Sequence, residues 1–506
     1  MENFGCRASQ ADGDAISAGL EALGACPADA STALPDVVVV NTCSVTAEAD
    51  RDARAYIRRL QRGNPHARIV VTGCYAQRAP DEVSALPGVF AVVGNSHKNQ
   101  VASIALGLFM QHPASLTDPN RGPAESEKSH VAMATASSHF VPLGSLASAP
   151  NFIPERLPGA PAFVLAGDIF AHSDFELPSL PFSAIERLAE SAAAHRTRPT
   201  LKIQDGCGNR CTFCIIPSTR GNSRSLPKPQ VLDSVERFIT AGGQELVISG
   251  INLGRWGRDL DRQLRFEGLL AEIFETTSLP RLRISSVEPM DWSDGLIALL
   301  RHHGQGQHPR LARHVHMPLQ SGSDRVLRRM HRRYRPWHYA ERLTKVRAAC
   351  PDAAIGADVM AGFPGESDEE FQESYDFIAA QPLTYLHIFP FSPRPGTPGW
   401  DLHRLDPVPA TAVKERMAAL NDLIQQKNLA FRSTLIGKQL SAVTLVATKA
   451  NSSCGFGSRT PGMTDNFISV EIAGTLPPNL LVSAQITGIA QHGLSAAIAS
   501  EIRSIA

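Results

Sequence analysis

Short, unbroken apolar runs mark the first hundred residues. Val37-Val38-Val39-Val40, Ile69-Val70-Val71 and Phe90-Ala91-Val92-Val93 are separated by polar stretches, of which 47–61 has the composition of a surface helix. A strand that is apolar on both faces must be covered on both faces, so this pattern predicts an α/β domain with a parallel sheet. The same alternation returns at Thr200 and predicts six strands, at 201–203, 245–249, 282–287, 314–317, 354–360 and 386–391. Between them, Val231, Val235, Phe238 and Ile239 share one helical face, and Tyr339, Leu343 and Val346 another. Ser367 with Glu370 three residues on is a capping box that opens a third helix. Six successive βα units predict a partial (β/α)6 barrel, whose chemistry sits at the carboxyl ends of the strands. A helix over 411–432 follows. Four short strands, at 440–446, 467–472, 481–486 and 495–498, then predict a small β-barrel.

Between the two α/β regions the periodicity vanishes. Of the 50 residues 112–161, 26 are Pro, Gly, Ser or Ala, which leaves too little apolar surface for a core. An amphipathic stretch at 182–194 leads out of it. The 506 residues therefore divide into an N-terminal domain (1–98), a variable linker (99–195), a central barrel (196–432) and a terminal β-barrel (433–506).

Lys and Arg number 49, as do Asp and Glu, so a globally basic nucleic-acid binder is excluded and only a local basic patch can serve. The longest membrane candidate, 101–109, is far below the roughly 20 residues of a span. The N-terminus has neither the basic nor the apolar region of a secretory signal. Nine cysteines, an odd number, argue for a reducing cytoplasmic setting with thiols kept for metals or catalysis.

Cys207, Cys211 and Cys214 form a C-x3-C-x2-C run that starts just after the first barrel strand. Three thiolates in one loop suit a soft metal or an iron–sulfur cluster. No fourth Cys or His follows within fifteen residues, as a structural zinc site would want. Cys6, Cys43 and Cys74 are far apart in sequence, yet each falls just past the end of an N-terminal strand. Parallel neighbouring strands would bring their sulfurs to one sheet edge; packing is the alternative. Cys26, Cys350 and Cys454 lack such a setting and are expected to be structural.

The text around these cysteines resembles the radical S-adenosylmethionine (SAM) methylthiotransferase family. The matching segments are 203–207, 217–221, Ser285-Ser286-Val287-Glu288-Pro289, 316–322, 362–366 and 392–397. Gly5-Cys6-Arg7-Ala8-Ser9-Gln10 and the text from Asn41 to Asp50 resemble the branch acting on N6-threonylcarbamoyladenosine in tRNA. The branches for isopentenyladenosine and for a ribosomal-protein aspartate are the alternatives. Ser9 stands where that branch has Asn, and only four residues precede Gly5, so the first strand is expected to be very short. A non-catalytic RNA-binding protein with a structural metal is the rival of another class.

The resemblance implies a [4Fe–4S] cluster on Cys207, Cys211 and Cys214 that binds SAM and yields a 5′-deoxyadenosyl radical. It implies a second [4Fe–4S] cluster on Cys6, Cys43 and Cys74 for the sulfur, and an electron donor such as flavodoxin or ferredoxin. Phe213 would lie near the SAM adenine or fill the underside of the loop. Gly242, Gly243 and Glu245 would meet the SAM amino group or form an αβ turn. Glu288 would accept from the ribose hydroxyls or make a surface ion pair, while His316 and Asp358 are expected only to pack or hydrogen-bond. The substrate would be the anticodon loop of tRNA. From Arg281 to Arg347 there are 14 Lys and Arg against 5 Asp and Glu, and Arg328, Arg329, Arg332 and Arg333 at its centre are the candidate phosphate contacts. The β tail resembles an RNA-binding TRAM domain, though it carries little positive charge.

Overall fold

The computed structural model describes residues 1–28, 34–111, 161–172, 197–446 and 459–501. Cys454, the 182–194 stretch and nearly all of the low-complexity segment lie outside the described residues. In the N-terminal domain β1 (Glu2–Asn3), β2 (Val37–Thr42), β3 (Arg68–Gly73), β4 (Val89–Val93) and β5 (Phe163–Leu165) lie side by side in sequence order, all parallel. The valine runs are buried on both faces. Val38, Val40 and Val71 pack with Ala53 and Ile57 of the helix Ala47–Gly63, while Val39, Val70 and Val93 pack with Ile16, Ile104 and Leu108. These last three come from the helices Arg7–Ala22 and Val101–Gln111. The domain thus reaches past residue 98 and takes up β5 from beyond the low-complexity segment. A three-residue strand carries too little periodicity to be found in the sequence.

The central domain contains β6 (Thr200–Asp205), a short antiparallel β7 (Arg224–Ser225), β8 (Glu245–Gly250), β9 (Arg281–Ile284), β10 (His314–His316), β11 (Ala354–Ala361) and β12 (Tyr385–Pro390). β6, β8 and β9 pair in parallel, as do β10, β11 and β12. Val287 N donates to His316 O at 3.1 Å across the seam between the two groups. Along these strands Leu201, Ile203, Leu246, Ile248, Leu282, Ile284, Val315 and Ile355 join one core under the helices. With a period of two, the residues between them face the inside of the barrel. That inner wall is polar: Lys202, Glu245, Arg281, Arg283, His314, His316, Asp358, Tyr385 and His387.

A closed barrel ends the described chain. β13 (Gln439–Thr444), β14 (Arg459–Thr464), β15 (Ser469–Ala473), β16 (Leu481–Ala490) and β17 (Gly493–Glu501) close in the order β13-β14-β15-β17-β16. The sequence pattern missed β14, which Pro461 and Gly462 interrupt. This barrel sits beneath the amino ends of the central strands. Arg283 donates to Thr464 O at 3.0 Å and Asp465 O at 3.1 Å, and Arg313 pairs with Asp465. The Phe467 ring has the Arg7 guanidinium 5.3 Å from its centroid and that of Arg283 at 5.4 Å, so side chains from all three domains meet there.

Candidate metal centres

β6 ends at Asp205 and the chain turns at Gly206, where φ is +70° and a Cβ would lie 1.9 Å from Asn222 O. Only glycine fits such a corner. The loop that follows is pinned at both ends: Cys207 N donates to Gly221 O at 3.0 Å, and Thr212 N to Met330 O at 3.2 Å. Its three thiols are free and half-buried. Nitrogen donors point at the sulfurs. Asn209 N lies 3.4 Å and Asn252 Nδ2 3.5 Å from Cys207 Sγ, and Arg332 Nη1 lies 3.2 Å from Cys211 Sγ. Burial, aided by Cys211, pushes the Cys214 thiol up to about 12. Three crowded thiolates repel one another, so this trio needs a cationic core, and N–H donors on its sulfurs suit an iron–sulfur cluster.

Glu288 lies just beyond β9 and pairs closely with Arg332, whose guanidinium also covers the Tyr334 ring at 4.8 Å. Cys211, Glu288, Arg332 and Tyr334 line one pocket, with Asn209 and Arg210 at its side. Phe213 is half-buried against the central core. The pocket therefore joins the cysteine loop to one of the polar groups expected there.

Two expectations need correcting. Gly242, Gly243 and Glu245 lie at the amino end of β8, on the edge opposite the cysteine loop. Gly242 (φ +80°) donates to Ile239 O at 2.8 Å and Gly243 to Phe238 O at 3.1 Å, a Schellman cap on the helix Lys228–Thr240. Glu245 is fully buried beside Arg283 (2.8 Å), Arg281 (3.2 Å) and Arg198 (3.4 Å). Burial alone would raise its pKa, but these cations hold the carboxyl well below its usual range. The αβ-turn reading describes this element. The arginine run also divides. Arg332 is buried at the cysteines, Arg329 pairs with Glu370 at 2.5 Å, and Arg328 pairs with Asp324 at 2.8 Å. Arg333 is exposed and makes no ion pair among the described residues. Exposed Arg210, inside the cysteine loop, shares that property and was missed because it lies outside the basic run.

In the N-terminal domain Cys6 caps the helix Arg7–Ala22, Cys43 follows β2, and Cys74 begins a short helix after β3. A Cβ on Gly5 (φ +115°) would lie 2.7 Å from Cys43 Cβ, so the first segment passes in contact with the second. Burial, then the neighbouring Cys74 and Cys6, push the Cys43 thiol up to about 12. The three distant cysteines are thus brought together.

This trio adjoins the first. Asn95 Nδ2 reaches Cys74 Sγ at 3.5 Å and donates to Thr219 O at 2.8 Å, and Thr219 is in the helix Ile216–Arg220, which opens two residues after Cys214. Below it lies a buried group of five charges. Asp12 accepts from Lys98 at 2.8 Å, from Arg220 at 3.0 Å and from Lys202, while Asp205 accepts from Arg220 at 2.9 Å and from Lys202 at 2.8 Å. Burial works against the Asp12 charge, but Lys202, Lys98 and Arg220 outweigh it and hold the carboxyl at about 2. Arg220 also lies close enough to Cys74 and Cys6 to feel their charge. Lys202 and Asp205 share β6, but Asp12, Lys98 and Arg220 come from three other elements, and nothing in the sequence marks the five as one group.

Residues 201–378 match the model of the radical SAM superfamily, and residues 1–94 match that of the uncharacterized protein family UPF0004. The threonylcarbamoyladenosine tRNA methylthiotransferase MtaB of Bacillus subtilis is 33% identical over 87% of this chain and 82% of its own. A tRNA-2-methylthio-N(6)-dimethylallyladenosine synthase of Salinispora arenicola is 29% identical over 98% of this chain and 87% of its own. The solved structure of the radical SAM methyltransferase TsrM from Kitasatospora setae, with cobalamin and a [4Fe–4S] cluster, aligns at 16% identity with a TM-score of 0.45, covering 73% of this chain and 66% of that one. The two cysteine trios and this similarity along nearly the whole chain place the protein in the radical SAM methylthiotransferase family.

Proposed function

We propose that the protein replaces the C2 hydrogen of N6-threonylcarbamoyladenosine 37, in the anticodon loop of tRNA, with a methylthio group. One observation carries this reading: Asn95 and the helix Ile216–Arg220 tie the Cys74 sulfur, which adjoins Cys43 and Cys6, to the loop of Cys207, Cys211 and Cys214. Cys207, Cys211 and Cys214 would hold a [4Fe–4S] cluster, and the N-terminal trio a second one for the incoming sulfur. Given SAM and an electron from a donor such as flavodoxin or ferredoxin, the first site would supply reductive cleavage of the SAM C–S bond and hence a radical able to take hydrogen from an aromatic carbon.

The chain's own residues position and shield. Arg332 fixes Cys211 and neutralises Glu288, whose remaining oxygen is free to accept from a ribose hydroxyl. Asn209 N and Asn252 Nδ2 donate to Cys207 and stabilise its thiolate form. Arg210 and Arg333, at the mouth of the pocket, supply positive charge for RNA phosphates. The N6 substituent follows the similarity to the Bacillus subtilis relative and the resemblance of residues 5–10.

The test compares nucleosides from tRNA of cells lacking the gene with those of complemented cells, by mass spectrometry. The 2-methylthio form of threonylcarbamoyladenosine is expected only after complementation. Its persistence without the gene overturns the assignment, and a change in isopentenyladenosine instead transfers the activity to that base.

A further inference from the structure

The inner wall of the central barrel carries a second constellation that the cysteine chemistry does not use. His316 ends β10, Asp358 lies within β11, and His387 lies in β12 directly opposite Asp358 in the strand register. His316 pairs with Gly356, two residues before Asp358, so the period of two puts all three on the wall facing away from the helix-packed core. One donor atom from each lies within 4.8 Å of the other two. We propose that His316, Asp358 and His387 bind a divalent metal ion.

The arrangement of His316 is the strongest support. Its ring is buried, with 6% of the residue exposed. Nδ1 is engaged by Ser286 Oγ at 2.7 Å, which fixes the ring and leaves Nε2 as the free nitrogen. Nε2 is buried and makes no hydrogen bond; Asp358 Oδ1 is 3.4 Å away but off the line that one requires. A buried imidazole held from behind by a hydroxyl, with an unpartnered nitrogen aimed at a carboxylate and a second imidazole, is how metal-ligating histidines are oriented.

Two imidazoles and a carboxylate without thiolate suit Mn²⁺, Fe²⁺ or Zn²⁺. All three ligands come from one wall, so the remaining coordination positions point into the barrel. Those positions suit a ligand with paired oxygen donors. The threonylcarbamoyl arm carries a carboxylate and a hydroxyl, whereas an isopentenyl group carries neither; this part rests on the nucleoside proposed above.

Mn²⁺ is the probe, because thiolates hold such a hard ion poorly. Titrated into the cluster-loaded protein and followed by electron paramagnetic resonance, it should bind once per chain. His387→Gln and Asp358→Asn should each weaken binding at least tenfold at unchanged iron content and circular dichroism. No saturable binding, or equal binding by both variants, overturns the site. An anticodon stem-loop RNA bearing threonylcarbamoyladenosine should then change the Mn²⁺ spectrum, and one bearing isopentenyladenosine should not. Mn²⁺ bound but indifferent to both RNAs overturns the contact with the arm while keeping the ion.

Discussion

Arg332 is held by three partners at once: the Cys211 sulfur, the Glu288 carboxylate and the Tyr334 ring. In the sequence it is one arginine among several, and nothing in its neighbours separates it from Arg333, which faces solvent. That difference sets what each can do. Replacing Arg210 or Arg333 with Ala should weaken tRNA binding and lower the slope of log K against log salt by about one per arginine, while leaving SAM cleavage without tRNA unchanged. Filter binding at several salt concentrations measures the slope. Where a reading rests on residue type and spacing, as for Cys207, Cys211 and Cys214, the sequence alone singles out the residues. Where it depends on which way a side chain turns, as for Arg332, Glu245 and Asp12, only the folded chain decides.

The elements were legible in proportion to their length and regularity. All six central strands lie within a few residues of their apolar runs, and the capping box at Ser367 forms both of its bonds, Glu370 N to Ser367 Oγ at 3.2 Å and Ser367 N to Glu370 Oε2 at 3.1 Å. Ser367→Ala removes the acceptor for a helix-terminal N–H and should cost about 1 kcal/mol, read as a lower urea midpoint. β5 and β14 escaped notice for opposite reasons, the first too short and the second broken by Pro461 and Gly462. The N-terminal trio was inferred from strand ends, and that inference needed parallel neighbours in sequence order, the arrangement β1 to β3 adopt.

At the scale of the molecule, three domains are joined through buried charge. The helix Arg7–Ala22 brings Asp12 to Lys202 and Arg220 of the central domain, and Asp465 of the terminal barrel meets Arg313. Asp12→Asn leaves three cations facing Asp205 alone and should cost about 3–5 kcal/mol at neutral pH. Because the Asp12 carboxyl is held at about 2, below its value of about 3.9 in an unfolded chain, its contribution is complete above roughly pH 5. It fades as the pH falls towards 2. Protection of the amides of 7–22 in cluster-free protein, measured relative to the intrinsic exchange rate at each pH, should therefore fall between those limits in the parent chain, whereas Asp12→Asn should be weakly protected throughout.

Five buried charges lock the helix Arg7–Ala22 to β6 and to the helix Ile216–Arg220, and so tie the two sulfur-bearing loops to one another. For either half to swing towards the other, these buried ion pairs would have to break. On the proposed function, with a cluster on each trio, the nucleotide would be drawn out of its stack and presented first to one station and then to its neighbour.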